Sequence, residues 1–199
     1  MTDTFTWHGG RLAQARAQFG DGPDPWIDLS TGINPIVWPG AEDIAPDWHH
    51  LPDPDDLRAL EAAAAVHFGA QAEHVCAVPG SELGLRLLGA LFDLPAFHGE
   101  PCYRTHAAIF PGSRGLTGLE RPLPLSAMLL LANPNNPDGR ITPRETLARW
   151  LSWQEHAGGW LVVDEAFADV TPSVSMAPQV SDARRLIVMR SFGKFFGLA

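Results

Sequence analysis

The chain has 199 residues, 45% of them hydrophobic, and a formal charge of -9 at pH 7. That composition can bury one good core and fits a globular protein of one domain or slightly more. It offers no basic stripe for nucleic acid, and its longest apolar runs, such as Met128 to Ala132, are too short to span a bilayer, so neither nucleic acid nor membrane is an expected partner.

No basic segment followed by an apolar stretch opens the chain, so no secretory signal is read there, and a reducing cytoplasm fits best. Cys76 and Cys102 stand too far apart for a metal knuckle, and no metal site is expected. Thirteen arginines accompany one lysine, Lys194. Schiff-base chemistry cannot use a guanidinium and needs an amine able to lose its proton. Lys194 is therefore the first candidate for chemistry, with a solvated loop lysine as the plain alternative.

Residues 1–52 are rich in Gly and Pro, which interrupt every periodic stretch except a helix over Arg11 to Phe19, and they read as an arm. A helix follows from Pro54 to Phe68, with Asp53 before it, acids Asp55 and Asp56 in its first turn and Gly69 after it. Val75 to Val78 reads as a short strand. Pro79-Gly80-Ser81-Glu82 then opens a helix whose Leu83, Leu87, Leu88 and Leu91 keep helical spacing.

Met128 to Ala132, Trp160 to Val163 and Leu186 to Met189 are short, almost uniformly apolar runs, as strands covered on both faces would be. Between the first two, Thr142-Pro143-Arg144-Glu145 reads as a capping box for a helix ending near Gly158-Gly159. The pattern is that of a parallel α/β sheet, in which ligands bind beyond the carboxyl ends of the strands.

Polar groups follow each of these runs: Ser81 and Glu82, Asn133 to Pro137, Asp164-Glu165, and Ser191 to Lys194. Any one alone reads as an ordinary cap or turn. Together they supply what pyridoxal 5'-phosphate (PLP) requires. Amides of Ser81 and Glu82 at a helix start, with the Ser191 hydroxyl, suit a phosphate. Asp164 suits the pyridine nitrogen, Asn136 the ring oxygen and Lys194 the aldehyde.

Asn135-Asn136-Pro137-Asp138-Gly139, Asp164-Glu165-Ala166-Phe167 and Ser191-Phe192-Gly193-Lys194 resemble the signature of the class I/II, fold-type I aminotransferases. His8-Gly9-Gly10 and Leu29-Ser30-Thr31-Gly32-Ile33-Asn34-Pro35 are similar, within that group, to the threonine-phosphate decarboxylases of cobalamin synthesis, themselves similar to histidinol-phosphate aminotransferases.

The resemblance implies an α/β large domain over 53–199, a mostly parallel sheet between helices, preceded by an arm and part of a small domain over 1–52. It implies a homodimer, with Asn136, Asp164, Ser81, Glu82, Ser191 and Lys194 in the roles above and His106 stacked on the cofactor ring. Tyr103 is the alternative to His106. His8 is expected towards a substrate phosphate and Asn34 near its carboxylate.

Phe167 and Leu51 stand where many relatives carry tyrosines, which points to a divergent branch. The sequence ends five residues after Lys194. Relatives continue with a phosphate-binding arginine, a C-terminal small domain and an antiparallel strand lying between the strand that leads to Lys194 and the one before Gly80, so a chain incomplete at its C-terminus is expected. The implied reaction is decarboxylation of L-threonine O-3-phosphate to (R)-1-aminopropan-2-yl phosphate. Transamination of a phosphorylated amino acid or amino alcohol such as histidinol phosphate, and an inactive fragment, are the alternatives.

Overall fold

In the computed structural model residues 9–123 and 125–198 are described. Five helices and five strands appear in the order α1 (Leu12–Phe19), α2 (Pro54–Phe68), α3 (Ser81–Leu91), β1 (Ala96–Gly99), α4 (Arg104–Ile109), β2 (Arg114–Leu116), β3 (Met128–Ala132), α5 (Arg144–Ala157), β4 (Trp160–Asp164) and β5 (Leu186–Met189). The strands form one sheet in the order β2-β1-β3-β4-β5, and every neighbouring pair is parallel.

Both faces of the sheet are covered, which explains why the strand sequences do not alternate. Leu129, Leu131, Leu161 and Val163 turn to one face and bury Leu147 and Leu151 of α5, together with Met176. Met128, Leu130 and Val162 turn to the other, against Leu85 of α3 and Ile109 of α4. Leu147 and Leu151 are fully enclosed, each contributing about 1.5–3 kcal/mol by area burial. Buried Gln154 donates from Nε2 to the carbonyls of Ala127 and Trp160, bracing β3 and β4 at their starts.

Helix α2 matches its expected bounds residue for residue. The Asp53 carboxylate accepts from the Asp55 amide, and Gly69 closes the helix at φ 70, a left-handed conformation that costs glycine little. Helix α5 begins otherwise than expected. No side chain caps it, because Thr142 is held elsewhere: its amide donates to Oδ1 of Asn133 and its carbonyl accepts from Nδ2 of Asn133.

One further expectation is corrected. Val75 to Val78 is not a strand; Val75 is extended, but among the described residues β5 pairs only with β4, and no strand stands beside 75–78. The stretch Ala96 to Leu116, which contains β1, α4 and β2, held elements the sequence reading did not resolve. β1 is four residues and β2 three, too short to display a period. Among the described residues no helix is long and apolar enough to cross a membrane, and no cluster of three or more His, Cys, Asp or Glu could hold a metal ion.

Candidate active site

Parallel pairing puts all the strand ends at one edge. Ala132 is in register with Asp164, and Asp164 with Met189, so the segments beginning at Asn133, Glu165 and Arg190 leave the sheet side by side. Two amide bonds lock this edge: Asn133 donates to the Asp164 carbonyl and Glu165 to the Met189 carbonyl, each at 2.9 Å. The N-terminal turn of α3 reaches the same edge. A Cβ on Gly84 would come within 2.5 Å of Met189 Cε, so a larger residue there would make the flexible Met189 side chain shift at this close approach of α3 to the end of β5.

Among the expected site residues, Glu82, His106 and Asp164 form one connected cluster. The Glu82 carboxylate accepts from Thr105 Oγ1 at 2.7 Å, from Tyr103 Oη at 3.2 Å and from Arg86, tying the start of α3 to the start of α4. Burial works against ionisation of Glu82, but the bonds from Thr105, Arg86 and Tyr103 outweigh it and hold the carboxyl below its ordinary value. One turn into α4, His106 is fully buried with Nε2 2.9 Å from Asp164 Oδ2. Asp164 Oδ1 accepts from the Ala166 amide, so the carboxylate is fixed on both sides. Nδ1 of His106 is buried with no partner among the described residues.

Ser81 begins α3 behind Gly80, which sits at φ 93, and no side chain caps this helix. Its first-turn N–H groups are those a helix leaves without internal partners. Ser191 follows β5 and accepts the Gly193 amide at 3.2 Å. Asn136 lies half-buried in the turn after β3, and Lys194 half-buried in the loop after β5. Both occupy the strand-end edge, but among the described residues neither touches the Asp164 carboxylate.

Asn34 is brought across the molecule to the lysine loop: its amide donates to the Lys194 carbonyl and its Nδ2 to the Phe195 carbonyl. His8 lies outside the described residues. The adjoining Gly10 donates to Ser30 Oγ, so the two separated stretches of the arm that carry the finer resemblance meet. Leu51 is almost wholly exposed.

A charged cluster beneath the edge went unnoticed in the sequence. Buried Glu165 accepts from Met176 N, Ser175 Oγ and Arg190 Nη1, while Arg190 Nη2 holds Asp169 at 2.6 Å and its guanidinium lies 4.4 Å from the Phe68 ring centre. Burial pushes the Glu165 carboxyl up despite these bonds. The available signal was Arg190, a charge directly after an apolar strand beside the chain's one lysine.

Residues 116–199 match the model of aminotransferase class I and II. The chain is 40% identical to threonine-phosphate decarboxylase of Pseudomonas aeruginosa over 96% of its own length and 59% of the relative's. It is 39% identical to the Sinorhizobium threonine-phosphate decarboxylase over 96% and 60%. Thus it spans about three fifths of the length of these curated relatives. The crystal structure of L-threonine-O-3-phosphate decarboxylase from Porphyromonas gingivalis superposes with a TM-score of 0.65 at 20% identity, covering 75% of this chain and 50% of that one, and so shares the fold.

Proposed function

We propose that the protein is a PLP-dependent decarboxylase of L-threonine O-3-phosphate, acting in the cytoplasm as a homodimer. The observation that carries this reading is the convergence at one sheet edge of an uncapped helix start, a fixed carboxylate and the only lysine, in a chain 40% identical to a threonine-phosphate decarboxylase.

The residues present fit the cofactor. Ser81 and Glu82 amides at the positive end of α3, with the Ser191 hydroxyl, would hold its phosphate. Asp164 would hold the proton on the ring nitrogen and Asn136 would donate to the ring oxygen, while partly exposed Tyr103, rather than the fully buried His106 of the expectation, would lie against the ring face. When bound, PLP supplies the electron sink that makes loss of carbon dioxide from an amino acid feasible.

The chain's own groups then have defined tasks. His106 and the Ala166 amide orient the Asp164 carboxylate, so that it would meet the ring nitrogen of a bound cofactor with little reorganisation. Lys194 Nζ is the amine for the cofactor aldehyde and a group able to carry a proton to the substrate carbon. His8 would face the substrate phosphate. Asn34, whose Nδ2 keeps one N–H beyond that given to Phe195, would face the carboxylate.

The test is an assay of the full-length protein with threonine phosphate. Release of carbon dioxide with formation of aminopropanol phosphate is expected. Transfer of the amino group to 2-oxoglutarate without carbon dioxide would instead assign a transaminase, the activity named for histidinol-phosphate aminotransferases that match over much of the chain.

A further inference from the structure

Residues 191–198 form an irregular loop beyond β5, and their internal bonds are local: Gly193 to Ser191, Gly197 to Lys194 and Leu198 to Phe192. Among the described residues every hydrogen bond joining this loop to the rest of the protein comes from the arm. The Asn34 amide donates to the Lys194 carbonyl at 2.9 Å, Asn34 Nδ2 to the Phe195 carbonyl at 2.8 Å and the Trp38 amide to the Phe196 carbonyl at 2.8 Å.

The close approach is built into both strands of the contact. A Cβ on Gly197 would lie 2.8 Å from the Asn34 carbonyl oxygen and 3.0 Å from Val37 Cα, and Gly197 also adopts φ 66. A Cβ on Gly32 would lie 2.8 Å from the ring of Phe167, which follows Asp164 by three residues. The arm therefore bears on the segments after both β4 and β5. Oδ1 of Asn34 accepts the Ile36 amide, which turns the arm so that Trp38 meets Phe196.

We propose that the arm segment 32–38 is a strap that sets the position of Lys194, with Asn34 as its positioning residue. A reactive amine must sit within a small displacement of its target, and an irregular loop without outside bonds would leave Lys194 free to wander. Asn34 supplies two of the three outside bonds and the turn that aims the third. Any ligand that engages the arm would thereby also act on the lysine. The kinetic consequence rests on Lys194 being the PLP lysine, whereas the mechanical one does not.

The test compares Asn34→Ala and the near-isosteric Asn34→Asp in the full-length protein. The aspartate keeps an oxygen for the Ile36 amide but loses the donor to Phe195, so it isolates the strap from the turn. Amide hydrogen exchange on the cofactor-free protein is expected to quicken by roughly tenfold or more in segments 32–38 and 191–198 of both variants, with β3 and β4 unchanged. In the loaded enzyme kcat should fall by about tenfold or more, and KM should rise as well, since both variants also lose the N–H proposed to face the substrate carboxylate.

Unchanged exchange in both segments, or an equal rise across β3 and β4, would overturn the strap. A raised KM with unaltered kcat would overturn the positioning role and leave Asn34 as a substrate ligand only. Should borohydride fix no PLP on Lys194 of the unmodified protein, the proposed function fails, while exchange still decides whether the strap exists.

Discussion

His106 Nε2 lies 2.9 Å from Asp164 Oδ2, and this buried bond joins α4 to the end of β4. Fully buried, His106 has no open ring face to offer; its task is to fix the carboxylate that the proposed mechanism places against the cofactor. His106→Phe keeps an aromatic ring in the buried site while removing the nitrogen that meets Asp164. The variant is expected to lose about 1–3 kcal/mol of stability and to bind PLP about tenfold more weakly. A thermal melt and a fluorescence titration with PLP check this; unaltered affinity would show that the carboxylate does not need this bond to hold the cofactor.

Lys194→Ala should abolish fixation of PLP by borohydride on this segment, since no second lysine side chain is present in it. Peptide mass mapping after reduction reads the result. A PLP adduct on another residue of 1–199 in that variant would sink the assignment.

Arg190→Met should cost about 3–5 kcal/mol, because Glu165 and Asp169 would be left buried without their shared cation. The loss should depend on pH in a definite direction. Burial already raises the Glu165 carboxyl above its unfolded value. Such a group stabilises most below the unfolded value of about 4.3 and progressively less as pH rises through the folded value. Removal of Arg190 raises the folded value further, so the deficit should grow from pH 5 to pH 8, as denaturant melts at the two pH values would show. An equal deficit at both would argue that lost packing on Phe68 dominates.

Glu82→Gln is expected to behave oppositely. The Glu82 carboxyl is held below its ordinary value, so its contribution is complete above about pH 4.3 and disappears as pH falls through the lower folded value. The group is partly exposed, and the difference between unmodified protein and variant should be only about 1 kcal/mol at pH 7 and smaller at pH 3. Thermal melts at both pH values measure it. A difference that persisted undiminished in acid would mean the ionised form is not what binds Thr105.

Expressed as residues 1–199 alone, the polypeptide is expected to aggregate or stay partly unfolded and to bind PLP poorly. The outer edge of β5 has no partner strand among the described residues, and residues 75–78 pair with no strand. An unpaired strand edge is a template for pairing with other chains, which favours aggregation. A cooperative melt with stoichiometric PLP absorbance from this polypeptide would refute the expectation.

The sequence by itself determined the elements whose signals are local. The helix over Pro54 to Phe68 carries its cap and its stop in Asp53 and Gly69, and β3, β4 and β5 announce themselves as apolar runs because both their faces are buried. It also determined the chemistry on offer at the strand ends, since Asp164, Ser191 and Lys194 follow such runs directly. Tertiary structure decided what depends on partners far along the chain. Val75 to Val78 has strand composition, but a strand exists only when another pairs with it. His106 reads as a loop residue until the fold encloses it beside Asp164, 58 positions away, and Asn34 reads as an arm residue until Lys194 comes within 2.9 Å. No period or cap encodes such contacts; they follow from closing the sheet with its strands parallel, which carries every strand end, and the arm laid across them, to one edge.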